Sequence, residues 1–210
     1  MLGLHMPAAV VHGPRTSRAV AFTFDDGPGA VTEAILDVLR RHDARATFDL
    51  IGERIAGRER HVRRMAREGH EIGVHGWCHV DHRDRPDERA RAAAHTADAV
   101  ESITGVRPRL FRPPFGLTDR RLQAAAARHG LTTVLWDVDP RDFEEPGAEA
   151  IYDRTVASLR PGSIVLLHDD REELAATAKA VDRLLGELRR RTWRATTVSA
   201  LLRPRRSRTR

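Results

Sequence analysis

The sequence of 210 residues predicts an α/β fold, a distorted (β/α)7 barrel that is TIM-barrel-like and forms a single domain. Short apolar or β-branched segments alternate with amphipathic helical segments along the chain. A helical crossover returns the chain to the same end of the sheet, so the strands should pair in parallel. No long Gly/Ser/Pro linker divides the chain. We expect an N-terminal lead-in over 1–17, the barrel over 18–202 and an arginine-rich tail over 203–210.

Seven segments are predicted as strands because they are rich in apolar and β-branched residues and lie between turn-forming residues. In chain order they are Ala19–Phe24, Ala46–Ile51, Glu71–His75, Arg109–Arg112, Thr132–Asp139, Ser163–His168 and Arg194–Val198. Their β-branched and apolar content suits the interior of a sheet that is covered on both faces.

Six segments between these strands have the apolar spacing of amphipathic helices. They are Val31–Arg41, Arg58–Glu68, Glu88–Ile103, Asp119–His129, Ala148–Leu159 and Glu172–Arg191. Gly69, Gly105 and Gly130 follow three of them, as expected at helix C-termini. Asp119 is the residue type that caps a helix N-terminus.

The charge is concentrated at one end of the chain. The formal net charge is +6 and the sequence pI is about 10.8, values that suggest a protein that binds nucleic acid. Of the 36 basic residues only Lys179 is a lysine, and five of the arginines lie in the last eight residues. Removing those five charges from +6 leaves +1 for the rest of the chain. We therefore expect no nucleic-acid partner for the barrel.

Cysteine content and hydropathy exclude several other classes of protein. The single cysteine, Cys78, excludes an intrachain disulfide framework and a multi-cysteine zinc module. No run approaches the ~18 apolar residues that a membrane span needs. Residues 1–15 have no basic region before their short apolar stretch and make a poor secretory signal. We expect a cytoplasmic location for the chain as written, and a secreted or cell-wall-facing one if a leader precedes it.

Ionisable residues follow five of the predicted strands. They are Asp25-Asp26, His75 with His79, Arg112, Asp137 with Asp139, and His168 with Asp169-Asp170. In (β/α) barrels the active site lies at the carboxyl ends of the strands. The sequence therefore predicts one polar site at this rim.

The acidic and histidine pairs indicate a metal site. Of Asp25 and Asp26, one could bind a metal while the other acts as a base, although an Asp-Asp-Gly-Pro run also suits a simple turn. His75 and His79 have the spacing of a metal pair, and the glycine between them, Gly76, favours a strand-to-loop clamp over a helix. An HxxxH pair could also be incidental in a chain with eleven histidines.

One aspartate and two histidines leave open positions for water and substrate. The same ligand types serve non-haem iron oxygenases, but the order here, aspartate first and then HxxxH, favours zinc hydrolysis. Zinc is the expected metal, and cobalt, manganese or nickel suits the same ligands.

His168 ends a strongly apolar run and is a candidate general acid, because the pKa of histidine lies close to working pH. A histidine in this place is also compatible with a structural role. Asp139 could orient and stabilise His168, and Arg112 could hold Asp25 ionised by pairing with it.

Five motifs occur in order between Thr23 and His168. They are TFDDGP at Thr23–Pro28, H-[ST]-x-x-H at His75–His79, R-x-P-[FY] at Arg112–Phe115, D-x-x-D-W at Asp139–Phe143 and L-x-H at Leu166–His168. By these motifs the chain resembles the carbohydrate esterase family 4 polysaccharide deacetylases, which carry the NodB-homology domain. The chain departs from the motifs twice, because Gly76 replaces the usual serine or threonine and Phe143 replaces tryptophan.

The resemblance implies a role for each matching residue. It implies Asp25 as catalytic base. The implied metal ligands are Asp26, His75 and His79. Arg112 would orient the base, and Asp139 would tune His168 as the acid.

The resemblance also implies the substrate-binding residues. The backbone N–H of Phe115 would face the oxyanion, and Leu166 would line the pocket for the acetyl methyl group. Trp77, beside the ligands, could offer a stacking face to a sugar or be buried instead. Phe143 would keep an apolar wall without the indole N–H.

The expected activity is metal-dependent hydrolysis of N-acetyl groups on amino-sugar glycans, with release of acetate. The expected substrate is an acetylated amino-sugar oligomer or polymer of the chitin, chito-oligosaccharide or peptidoglycan type. Two alternatives stay open from the residues alone. One is a deacylase of a small N- or O-acylated metabolite, and the other is a non-catalytic glycan-binding barrel.

Overall fold

A computed structural model of the chain describes residues 9–203. Strands and helices alternate through this range, which confirms the predicted α/β class. The strands are β1 Ala19–Asp25, β2 Thr47–Leu50, β3 Glu71–Val74, β4 Leu110–Phe111, β5 Thr132–Thr133, β6 Ile164–His168 and β7 Arg194–Ala195. The α-helices are α1 Thr32–Arg41, α2 Glu59–Arg67, α3 Pro86–Thr104, α4 Arg120–Arg128, α5 Ala148–Ser158, α6 Ala175–Arg190 and α7 Val198–Leu202.

The strands form one parallel sheet in the order β5-β4-β3-β2-β1-β6, and β7 pairs with the first residues of β1. The sheet is barrel-like, but its strand ladders do not close into a ring. A single parallel bridge joins Val138, beyond β5, to Val165 in β6. Because every ladder is parallel, the carboxyl ends of the strands lie along one rim.

The register of β1 brings three ionisable side chains side by side. Asp25 pairs with Asp49 on β2 and with His168 on β6. Asp49 in turn pairs with Gly73 on β3. Side chains of paired residues point to the same face of a sheet, so Asp25 lies between a carboxyl and an imidazole.

The buried strand β1 has two different faces. Val20, Phe22 and Phe24 belong to the main apolar cluster, together with residues of α1 and α6. The alternate positions carry small residues at the start of the strand and then Thr23 and Asp25 towards the rim. This period of two follows from the pleat of a strand. It places the large side chains under the helices and the polar ones inside the barrel.

Most predicted strands are shorter in the structure, and the strands that begin at Thr132 and Arg194 end several residues before the predicted end. Of the predicted strand Thr132–Asp139, only Thr132–Thr133 pairs as a β-strand. Further along, the Asp137 carboxylate accepts a hydrogen bond from the backbone N–H of Ile164 at 2.7 Å. Beyond β7, Thr197 accepts from the N–H of Ala200 and caps α7, which the sequence did not predict. At Asp137 a side chain takes over backbone hydrogen bonding that a longer strand would have used, and after β7 the chain turns into a capped helix instead.

Within residues 9–203, no helix is long and apolar enough to cross a membrane. The first eight residues of the lead-in, and the arginine-rich tail after Arg203, lie outside the described range.

The N-cap of α4 gives a test of the fold. The Asp119 side chain accepts a hydrogen bond from the N–H of Leu122 at 2.8 Å, as predicted for a cap. We expect Asp119→Ala to lower the free energy of unfolding by about 1 kcal/mol in urea denaturation. Asp119→Asn keeps a capping oxygen, so its free energy of unfolding should stay close to that of the unchanged protein. Equal stability of the two variants would contradict this role.

Candidate metal centre and active site

Asp26, His75 and His79 bring three ligand atoms together at the rim, within 4.8 Å of one another. Asp26 Oδ1 lies 3.6 Å from Nε2 of His75 and 3.6 Å from Nε2 of His79. This oxygen is buried and has no hydrogen-bond partner. Donors about 2.0–2.1 Å from a tetrahedral zinc lie roughly 3.4 Å apart. The spacing and the orphaned oxygen therefore fit a divalent metal.

The tautomer of His75 also suits a metal ligand. Its Nδ1 donates to the backbone carbonyl of Arg112 at 2.6 Å, which leaves the lone pair on Nε2. Burial lowers the pKa of His75 to about 3, so the ring is neutral at ordinary pH. A neutral imidazole oriented through its second nitrogen is prepared for coordination.

Two turns with a positive φ direct these candidate ligands. Asp26 has φ +74°, so its side chain leaves the direction set by Asp25 at the strand end. Gly76 has φ +93°, and a Cβ there would lie 2.5 Å from Cε1 of His82. The buried His82 ring stacks on Phe111 with a centroid distance of 5.8 Å. The His82 imidazole thus fills the space that a side chain at position 76 would need, and this explains the glycine there.

Arg112 is completely buried and holds Asp25. Its Nη1 donates to Asp25 Oδ1 at 2.6 Å and to Thr23 Oγ1 at 2.7 Å, while Nη2 donates to the carbonyl of Leu135 at 3.1 Å. Burial raises the pKa of Asp25, and the charge and hydrogen bond of Arg112 oppose the rise. The other carboxyl oxygen, Oδ2, is 3.8 Å from His75 Nε2. Asp25 is therefore placed beside the three candidate ligands with a fixed orientation.

Asp49 is a second buried carboxyl beside the same guanidinium. Its Oδ2 lies 3.3 Å from Arg112 Nη1. Burial, opposed by Arg112 and reinforced by the Asp25 charge, raises the pKa of Asp49 to about 8. We did not single out Asp49 from the sequence. The available signal was a carboxylate in the middle of an apolar strand, Thr47–Leu50.

The partner of His168 is Asp142, and the prediction that Asp139 orients this histidine is wrong. His168 Nδ1 donates to Asp142 Oδ1 at 2.7 Å, and the backbone N–H of His168 donates to Asp142 Oδ2 at 3.0 Å. Thr177 Oγ1 also donates to Oδ2, at 2.9 Å. Burial lowers the pKa of His168, but the hydrogen bond and charge of Asp142 outweigh it and raise the pKa to about 9.

The backbone of the loop explains why the second aspartate of the motif takes this place. Asp139 is exposed, and its Oδ1 accepts a hydrogen bond from the N–H of Arg141 at 2.8 Å. Arg141 has φ +56° and leads into a 3-10 turn over Asp142–Glu144. This turn carries Asp142 inward to a fully buried position. Spacing along the chain could not distinguish the two aspartates.

A buried contact joins the loops that follow β1 and β6. Thr32 Oγ1 donates to Asp169 Oδ2 and accepts from the N–H of Gly29 at 2.8 Å. A Cβ at Gly27 would lie 2.4 Å from Asp169 Oδ1, so only glycine allows the loop to lie on this carboxyl. The contact supports the turn that carries Asp25 and Asp26.

One open cleft of about 560 Å³ is lined by Asp25, Asp26, His75, His79 and His168. Its apolar and aromatic walls are formed by Phe115, Trp136, Phe143 and Leu166. Phe115 is 60% exposed and meets His79 edge to face at 4.2 Å, and Phe143 meets His168 edge to face at 5.7 Å. Trp136 lies outside the sequence motifs and was not predicted as a site residue, and its ring is 5.6 Å from the Arg112 guanidinium.

Trp77 does not line the cleft, so the expectation that it offers a stacking face beside the ligands is wrong. Its ring packs on His95 with a centroid distance of 4.6 Å and fills the space beside Gly52. The backbone N–H of Glu53 donates to the Trp77 carbonyl at 3.0 Å. The turn at Gly76 thus directs this side chain towards α3, away from the site.

Comparison with known proteins agrees with this geometry. The sequence model of the family described as polysaccharide deacetylase matches residues 12–134. A peptidoglycan-N-acetylglucosamine deacetylase of Bacillus cereus is 37% identical over 193 residues, which cover 90% of this chain and 91% of that protein. A chitooligosaccharide deacetylase of Bradyrhizobium sp. is 41% identical over 156 residues, 73% of this chain and 71% of that protein.

A solved structure is also similar. The crystal structure of a peptidoglycan N-acetylglucosamine deacetylase in complex with a substituted benzamide superposes with a TM-score of 0.87 at 30% identity. The match covers 92% of both chains. The chain belongs to the polysaccharide deacetylase family, a family of hydrolases.

The ion pair between Asp142 and His168 predicts a pH dependence. His168 must be protonated to act as an acid, and its raised pKa keeps it protonated up to about pH 9. Asp142→Asn removes the charge that raises this pKa. We expect the alkaline fall of kcat/KM to move to lower pH by about one unit or more. Asp139→Asn is the matched control, and an equal shift in both variants would contradict the assignment.

Proposed function

We propose that this protein is a metal-dependent N-deacetylase of acetylated amino-sugar glycans. The observation that carries the proposal is the convergence of three groups on one cleft. They are the ligand set of Asp26, His75 and His79, the Asp25–Arg112 pair and the His168–Asp142 pair. Together they offer a metal site, a carboxylate base and a charged acid, which amide hydrolysis needs.

Asp26, His75 and His79 would hold the divalent metal, with zinc as the expected ion and cobalt, manganese or nickel suited to the same ligands. When bound, the metal would polarise the amide carbonyl and lower the pKa of a water molecule. The neutral state of His75 and the unpartnered Asp26 Oδ1 leave both groups ready for coordination.

Asp25 takes the proton of the attacking water. Its carboxylate faces the metal ligands, and its hydrogen bond from Arg112 fixes which oxygen is free for the water. Burial raises its pKa towards the working pH, and a general base acts best under that condition. The backbone N–H of Phe115 is proposed as the donor to the oxyanion.

His168 donates the proton that the leaving nitrogen needs. At neutral pH it is already charged, because the Asp142 carboxylate stabilises the imidazolium. As the C–N bond breaks, the nitrogen takes this proton and leaves as a free amine on the sugar. The acetyl carbon keeps the water oxygen and leaves as acetate.

The walls of the cleft favour a glycan over a small metabolite. Phe115 and Phe143 expose their rings at an open cleft, and an aromatic ring is a suitable surface for the apolar face of a sugar. Leu166 lies deeper, 4% exposed, and is proposed to receive the acetyl methyl group. The similar proteins described above are named as deacetylases of peptidoglycan and of chitooligosaccharides. Oligomers of either kind are the proposed substrates.

Acetate release tests the reaction and its metal. We expect the protein with added zinc or cobalt to release acetate from N-acetylglucosamine oligomers or from peptidoglycan fragments. Removal of the metal by a chelator should abolish the release, and adding the metal back should restore it. No release from any glycan, with ready release from a small acylated metabolite, would contradict the proposed substrate class.

Substitution of the base tests the residue roles. We expect Asp25→Asn to lower kcat roughly 10²- to 10⁴-fold, the usual contribution of a general base. Metal content measured by elemental analysis should stay near the level of the unchanged protein, because Asp26, His75 and His79 are intact. Asp43→Asn, at an exposed position outside the cleft, is the control. Unchanged turnover in Asp25→Asn would contradict the assignment.

A further inference from the structure

Arg54 lines the cleft, and the proposed mechanism gives it no role. It ends a short 3-10 turn, Gly52–Arg54, that follows β2. Its Nη1 donates to the backbone carbonyl of Asp26 at 2.6 Å and to Oδ2 of Asp170 at 3.1 Å. One nitrogen of the guanidinium thus joins the loop after β1 to the loop after β6.

The backbone of the same turn holds the loop after β3. The N–H of Gly52 donates to the carbonyl of Gly76 at 3.0 Å. The N–H of Glu53 donates to the carbonyl of Trp77, also at 3.0 Å. Both acceptors lie between the two candidate histidine ligands. The turn therefore contacts both loops that carry candidate ligands, one through the arginine side chain and the other through its backbone.

Packing against α3 keeps this turn in place. A Cβ at Gly52 would lie 2.4 Å from Thr96 Oγ1 and 2.5 Å from Cε3 of Trp77, so glycine allows the close approach. Thr96 Oγ1 itself donates to the carbonyl of Gly76 at 3.0 Å. Arg54 therefore extends towards the loop after β1 from a well-packed support.

Asp26 is the candidate ligand whose backbone most needs support. Its φ is +74°, a region that a residue with a Cβ adopts only where its surroundings hold it there. Its Oδ1 has no hydrogen-bond partner among the described residues, so this oxygen does not fix the turn. Arg54 holds the Asp26 carbonyl, and the N–H of Ile51 holds the next carbonyl, that of Gly27, at 2.9 Å.

We propose that Arg54 is a positioning residue for the metal centre. By holding the Asp26 carbonyl it keeps the carboxylate of that residue directed at His75 and His79 before a metal binds. This inference rests on the proposed function in taking these three residues as the ligands. Its consequence is a preformed site, whose affinity for a divalent metal falls when the side chain at position 54 cannot donate.

The charge of Arg54 gives the test its sign. A cation close to a metal site repels the metal ion, and Asp170 without its cation attracts it. If Arg54 acted through its charge alone, loss of the guanidinium would therefore tighten metal binding. If Arg54 holds the turn at Asp26, the same loss weakens metal binding. The two effects have opposite directions.

Zinc affinity tests the role. We expect Arg54→Met, which has no donor, to raise the Kd for zinc roughly 10- to 100-fold, measured on the metal-free protein by competition with a chromophoric chelator. Arg54→Lys should stay within a few-fold of the unchanged protein, because a single nitrogen makes both contacts and an ammonium can replace it. The matched control is Arg63→Met, at an exposed position of α2 outside the lining of the cleft.

Two results would overturn the proposal. One is an unchanged or lower Kd in Arg54→Met, and the other is an equal rise in the methionine and lysine variants. Kinetics add a further test, because Arg54 also faces the cleft. At saturating zinc we expect the KM of Arg54→Met to stay within a few-fold of the unchanged value. A raised KM with an unchanged Kd for zinc would show a substrate contact in place of a positioning role.

The zinc measurement separates this inference from the proposed function. If the unchanged protein bound zinc but released no acetate from any glycan, the proposed function would fail, and the comparison of Kd values would still decide the role of Arg54. Absence of zinc binding by the unchanged protein would overturn the inference itself. If Arg54→Met did not fold, Arg54→Gln would replace it with the same expected rise in Kd, because its amide nitrogen ends two bonds short of the Nη1 position.

Discussion

The buried guanidinium of Arg112 is the group on which the rest of the site depends. Its side chain binds Asp25 and Thr23 of β1 and the carbonyl of Leu135, beyond β5. Its own backbone carbonyl accepts from His75 Nδ1 and so leaves Nε2 facing the proposed metal position. One residue therefore orients both the proposed base and a proposed metal ligand. Because a buried cation is stable only with its partners in place, the same contacts hold the strands at the correct spacing.

The parallel register explains how residues far apart in the chain reach this guanidinium. Asp25 is paired with Asp49 on one side and with His168 on the other. In a parallel sheet such pairs lie at the same height, so the proposed base and the proposed acid are neighbours without any special loop. Loops then add what strands cannot supply. One loop places the Asp142 carboxylate beside the His168 ring, where it stabilises the protonated form. The turn at Gly76 places His79 opposite Asp26.

Much of the fold could be predicted from the sequence because it depends on local patterns. The alternation of apolar segments and amphipathic helices predicted the parallel α/β sheet, and the predicted capping role of Asp119 before α4 is confirmed. The rim position of the ionisable residues followed from the same topology. Strand lengths were harder, since Asp137 accepts from the N–H of Ile164 where a longer strand ladder was expected.

Within the site, the sequence by itself determined which residue types occur at the rim and in what order, because motif spacing and strand ends are local properties. Tertiary structure decided which of them meet. Asp142 rather than Asp139 reaches His168 because the backbone turns at Arg141, with φ +56°. The Trp77 ring packs on His95 and lies outside the cleft. Asp49 lies beside Arg112 because two strands far apart in sequence belong to the same sheet. Side-chain direction depends on backbone turns and on neighbours distant in sequence, so only the folded chain defines it.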